Sequence, residues 1–99
     1  MGIEYTAAIN AHDYDSFRMI LTTQLPHDYN MWLRVRDRGK VRALDERGVM
    51  LTEIEVTPME FGAYCRGLKK RDFSIASLDR CARVKAVART RAGEHQRPA

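Results

Sequence analysis

Cysteine is scarce in this 99-residue chain: Cys65 and Cys81 are the two present, and no CxxC spacing occurs. That excludes a zinc ribbon and a thioredoxin-like redox motif, and it suggests a reducing compartment. Histidine is equally thin. His12, His27 and His95 stand far apart and form no HxH, HxxE or HExxH pattern, so a metal site and a metal cofactor are not expected. No apolar window approaches the roughly 18–20 residues needed to cross a bilayer. The opening MGIEYTAAIN has neither a basic segment nor an apolar core of a secretory signal, so the expected location is cytoplasmic, away from membranes. There is no internal repeat and no Pro/Gly-rich linker. One small domain is expected over 1–90, followed by a disordered basic tail over 91–99.

What is present is ordinary for a soluble domain: 44% hydrophobic and 30% charged residues. A chain of this size buries only about 60–65% of its unfolded surface, so its core is thin and association with a second copy is expected to help it. Charge is unevenly placed. Residues 1–59 hold seven basic and nine acidic groups, whereas residues 60–99 hold ten basic and four acidic. A basic half of this kind marks a surface for an acidic protein or for nucleic acid.

Periodicity gives the elements. Ile3, Tyr5, Ala7 and Ile9 alternate with polar residues, which predicts a strand over 3–9. Tyr14, Phe17, Ile20 and Leu21 recur at helical spacing over 13–24, with Asp13 as the expected N-cap and Pro26 as the stop. Residues 28–46 read two ways. A helix capped by Asp28 places Tyr29, Trp32, Leu33, Val41 and Leu44 on one arc, although Arg36, Asp37, Gly39 and Lys40 interrupt it. A hairpin turning at 37–40 competes with that reading; the helix is favoured. Gly48 suits the position just past a helix end. VMLTEIEV at 49–56 alternates with Met50, Thr52, Ile54 and Val56 on one face.

Thr57-Pro58-Met59-Glu60 is the sharpest local signal. Thr57 and Glu60 form a capping box, and proline at the first helical position loses no needed N–H. Phe61, Tyr64, Cys65 and Leu68 follow on one stripe, predicting a helix from Pro58 to about Gly67. Asp72 or Ser74 caps a last helix to about Ala88 or Thr90, with the stripe Leu78, Cys81, Val84 and Ala88. The expected fold is α+β in the order β-α-α-β-α-α, two short strands covered by helices.

Several of these segments resemble a group of short uncharacterised bacterial proteins of proteobacterial type. The residues that carry the likeness are Leu25-Pro26, Tyr29, Trp32-Leu33, the run Val56–Arg66 and Leu78-Asp79-Arg80. They are packing and capping residues. The resemblance implies a helical Trp-Leu segment and implies no activity or cofactor.

Chemistry is not visible. Gly62 and Gly67 give GxxxxG without the following Lys-Ser/Thr and inside a helix, so it is no phosphate loop. Cys65 shares a stripe with Phe61 and Leu68, which predicts burial and inertness rather than a nucleophile. The expectation is therefore a non-enzymatic interaction or regulatory protein acting through protein–protein contacts, with homodimerisation. Its candidate partner surface is Lys69, Lys70, Arg71, Arg80 and Arg83, facing an acidic protein. Its candidate self-pairing strand contains Leu51, Glu53, Ile54 and Glu55. The alternative is nucleic-acid binding in ribbon-helix-helix order, strand 49–56 followed by two helices. Two outward carboxylates, Glu53 and Glu55, oppose it electrostatically.

Overall fold

A computed structural model describes residues 2–96, and side chains through Arg91. The order is β1 (Gly2–Ala8), a 3-10 turn (Ala11–Asp13), α1 (Tyr14–Ile20), α2 (Tyr29–Arg47), β2 (Val49–Glu55), α3 (Pro58–Arg66) and α4 (Ile75–Gln96). This is the α+β arrangement expected. The two strands pair in parallel, Gly2 opposite Val49 through Ala8 opposite Glu55. Parallel pairing needs a long crossover, which the turn, α1 and α2 supply.

Segment 28–46 is helical. The Asp28 carboxylate accepts from the Asn30 N–H at 3.0 Å, and Gly48 ends the helix at φ 62°, a left-handed conformation glycine takes without a Cβ clash. The capping box is complete: Glu60 N–H donates to Thr57 Oγ1 at 3.2 Å, and Thr57 N–H donates to Glu60 Oε1 at 2.9 Å. At α4, Ser74 Oγ accepts from the Ser77 N–H, while Asp72 accepts from Ser74 N–H and so holds the cap.

Five expectations need correction. Asp13 makes no cap hydrogen bond, because it is already in helical backbone geometry. Asn10 does the local capping, accepting from His12 N–H. The helix beginning there stops at Ile20, and the chain turns extended at Leu21, where Thr22 N–H bonds to Phe73 C=O and buries Leu21 and Leu25. On α2 the buried residues are Trp32 and Ala43, while Leu33, Val41 and Leu44 are exposed. The inward arc runs through Arg36, one of the residues that interrupted the expected one. On α4 the buried stripe is Leu78, Ala82 and Ala86 with Cys81, while Val84 is 56% exposed. Alanines let the helix lie close to the sheet, so the larger valines turn outward. Finally, α4 continues through Arg91 to Gln96 where a disordered tail was expected. The first helix-incompatible residue in that stretch is Pro98; residues 97–99 lie outside the described set.

The core gathers Ala7 and Ile9 from the β1 region, Tyr14 and Phe17 of α1, Trp32 of α2, Val56, Phe61 and Cys65, and Leu78 and Ala82 of α4. Phe17–Phe61 and Phe61–Phe73 ring contacts, at 6.1 and 6.2 Å, tie α1 to α3 and to the loop before α4.

Candidate interaction surface

Both sheet edges are partly closed, and α4 closes them. Gly2 N–H bonds to Gly48 C=O and Val56 N–H to Ala8 C=O. Backbone groups alternate along a strand. Even-numbered residues of β1 and β2 therefore face the partner strand, and odd-numbered ones face the outer edges. The outward N–H of Ala7 donates to Asp79 Oδ1 at 2.9 Å, and the outward C=O of Glu55 accepts from Lys85 Nζ at 2.6 Å. An acid meets an outward N–H on one edge and a base an outward C=O on the other, both from one helix. This guards part of each edge against further strand pairing.

That arrangement bears on the candidate self-pairing strand. Leu51, Glu53, Ile54 and Glu55 all lie in β2, whose inner edge is taken by β1. Ile54 faces β1; Leu51 and Glu53 present their backbone to the open edge. The Glu53 side chain pairs with Lys40 of α2, and this hydrogen bond holds the Lys40 ammonium above its ordinary range despite partial burial. Glu55 Oε1 accepts from Asn10 Nδ2 at 3.0 Å. The carboxylates expected to point outward are thus engaged by the chain's own residues. In a ribbon-helix-helix protein the strand pairs with a second copy; here it pairs in parallel within one chain.

The basic candidates are gathered by the α3–α4 connection. α3 ends where Gly67 and Leu68 donate back to Tyr64 and Cys65 carbonyls. The loop then runs exposed through Lys69, Lys70 and Arg71. With Leu68, Asp72 and Arg80 these residues line a depression of about 550 Å³. Arg80 Nη2 reaches Asp72 Oδ2 at 2.9 Å. Hydrogen bonds from Ser74, with Arg80 beside it, hold the Asp72 carboxyl below its ordinary range. Asp72 stays charged and neutralises Arg80 alone. No ion pair engages Lys69, Lys70 or Arg71 among the described residues. Arg83 lies apart, in the next shallow depression with Val84, Val87, Ala88 and Arg91. Four of the five candidates therefore come together, and the fifth continues the face one turn along α4.

The two thiols lie inside the fold. Cys65 and Cys81 are buried and free. Burial pushes both up, Cys81 to about 11, with Glu60 and Cys65 adding to it. Among the described residues no three His, Cys, Asp or Glu side chains converge as a metal site would require, and no helix is long and apolar enough to cross a membrane.

Arg36, which the sequence placed on the helical arc without a role, is a residue the candidate set lacks. Its side chain is 16% exposed, stacks over Trp32 with Cζ 4.4 Å from the ring centroid, and bonds to Thr6 Oγ1 and Asp79 Oδ1. A signal existed: Arg36 is one turn from Trp32 on the same face, the spacing that stacks a guanidinium on an aromatic. No family model matches the chain, and neither the curated proteins nor the solved structures contain a significant match.

Proposed function

We propose that this protein is a non-enzymatic interaction module that engages an acidic protein through the surface of Lys69, Lys70, Arg71 and Arg80. The observation that carries this reading is the depression those residues line: three cations that form no ion pair among the described residues stand around one concavity. Three neighbouring cations without counter-charges raise the local positive potential and favour an anionic partner. Self-association through the open edge of β2 belongs to the same proposal. Exposed Ile3 and Met50 lie opposite each other in the strand register and leave that end of the sheet thinly covered.

The test uses the tagged full chain and the Lys69→Glu/Lys70→Glu/Arg71→Glu variant, incubated with lysate of the source cells with and without nuclease. A protein captured by the native chain, resistant to nuclease and lost with the variant, is the expected result. Capture of nucleic acid, with nothing left after nuclease, would shift the reading to a nucleic-acid binder. Identical capture by both forms would overturn the proposed surface. For self-association the informative substitution is Glu53→Pro. Its N–H faces the open edge, whereas that of Ile54 faces β1. Sedimentation should show a dimer that becomes a monomer; a native monomer or an unchanged dimer would overturn the strand contact.

A further inference from the structure

The outer edge of β2 is open over a short window. Its even-numbered residues face β1, and Val49, Leu51, Glu53 and Glu55 face outward. Among the described residues no hydrogen bond engages the outward backbone groups of Val49, Leu51 and Glu53. The Glu55 C=O is different, because it already accepts from Lys85 Nζ at 2.6 Å. A row of unpaired N–H and C=O groups is a template for another strand.

Symmetry restricts how a second copy can supply that strand. A closed homodimer relates its copies by a twofold axis. In the parallel β1–β2 ladder a residue facing its neighbour strand stands opposite one facing away, as Gly2 does opposite Val49. A twofold axis along the strands would place each outward residue opposite its own copy, which rules out a parallel ladder. In an antiparallel ladder outward residues stand opposite outward residues, as the edge requires. An axis at Glu53 sets that carboxylate against its own copy, and like charges directly opposite are destabilising. An axis at Thr52 sets Leu51 against Glu53 and brings the Val49 N–H to the Glu55 carbonyl that Lys85 occupies. An axis at Met50 or Val49 leaves Glu53 opposite residues of α2, which are helical. An axis at Leu51 avoids each of these conflicts. Val49 then pairs with Glu53, whose carboxylate Lys40 already neutralises, and the two Leu51 side chains meet at the centre. On the other face Met50, which is 50% exposed, comes opposite Thr52 of the second copy.

We propose that two copies join β2 to β2 antiparallel with Leu51 on the twofold axis, giving one sheet in the order β1-β2-β2-β1. This rests on the self-association proposed above and adds its symmetry and register. Lys85 acts as the stop that fixes the register, because it holds the carbonyl a slipped pairing would need.

Cys65 and Cys81 are free and buried, so cysteines introduced on β2 report alone. The test takes full-length Met50→Cys and Thr52→Cys chains, unfolds and refolds them together, and oxidises them with copper-phenanthroline before a non-reducing gel. Opposed residues at such a non-hydrogen-bonded pair have Cα atoms about 4.5 Å apart, within disulfide reach. A linked dimer from the mixture, and none from either variant alone, is expected. Self-linking of Thr52→Cys or of Met50→Cys would place the axis at that residue and overturn the register. So would an unlinked mixture that sediments as a dimer; in each of these cases self-association itself survives. A native chain that sediments as a monomer would overturn both. Should the variants fail to fold, isotope-filtered NOE spectra of the half-labelled native chain decide. A contact between copies from Met50 Hα to Thr52 Hα supports the register, and its absence or a Thr52-to-Thr52 contact overturns it.

Discussion

Replacing Asp79 by alanine should unfold much of what holds α4 to the sheet. Asp79 Oδ1 accepts from Thr6 Oγ1 at 2.9 Å, from Ala7 N–H at 2.9 Å and from Arg36 Nη2 at 3.1 Å. Loss of the carboxylate orphans the Ala7 N–H at the strand edge, a cost of about 1–3 kcal/mol. It also leaves Arg36 without its anion. Breaking a fully buried pair costs about 3–5 kcal/mol. The cost here is smaller, because Asp79 is 29% exposed and Arg36 retains Thr6 and the Trp32 ring. The sum expected is about 3 kcal/mol, from total stabilities of about 5–15 kcal/mol for domains of this kind. In a domain of this length that lowers the melting temperature by roughly 12–24 °C. Urea unfolding of the native chain, Asp79→Ala, Arg36→Met and the double variant gives the coupling directly. Asp79→Asn, which keeps an acceptor for Ala7, should lose less than Asp79→Ala. A loss under about 1 kcal/mol for Asp79→Ala, or no coupling to Arg36, would refute the reasoning, since contacting charged partners ordinarily couple by about 0.5–3 kcal/mol.

Thr57→Ala removes one half of the capping box and should cost about 1 kcal/mol in urea unfolding, with the m-value unchanged; a neutral result would mean that Glu60 alone holds the start of α3. Lys85 and the Thr57 N–H hold the Glu60 carboxyl below its ordinary 4.5 against partial burial. A depressed folded-state value stabilises the fold above the ordinary carboxylate range, and that contribution fades as pH falls through the depressed value. Glu60→Gln should therefore flatten the acid side of the stability curve, and an unaltered acid limb would refute this. With Cys81 pushed up to about 11, its thiolate fraction at pH 8 is on the order of 0.001. Iodoacetamide should label it only after denaturation; rapid labelling of the folded chain would contradict the burial described.

Much of the local structure is legible in the residues alone. Thr57, Pro58 and Glu60 announced α3, and Asp28 and Gly48 bracketed α2, because capping is settled within one turn of backbone. The hairpin alternative for 28–46 was harder to dismiss. Its alternating Met31, Leu33 and Val35 are all exposed, and a set of exposed residues imposes no period on the elements beneath. The basic loop was legible as a charge run. That Arg80 joins it and Arg83 lies one turn further depended on how the loop 67–74 returns to α4.

By itself the sequence determined where the helices start, the left-handed turn at Gly48, the order of strands and helices, and the excess of positive charge after residue 59. These depend on neighbours a few residues apart. Tertiary structure alone decided that β1 and β2 run parallel, that Arg36 turns inward onto Trp32, and that Val84 turns outward while Ala82 and Ala86 meet the sheet. It alone decided that Asp79 and Lys85 each cap one group on opposite edges. Those outcomes join groups dozens of residues apart: Thr6 to Asp79, Arg36 to Asp79, Lys85 to Glu55. Helical spacing makes no distinction between an inward arginine and an exposed one. The difference lies in a carboxylate and an aromatic ring that the folded chain alone brings beside it.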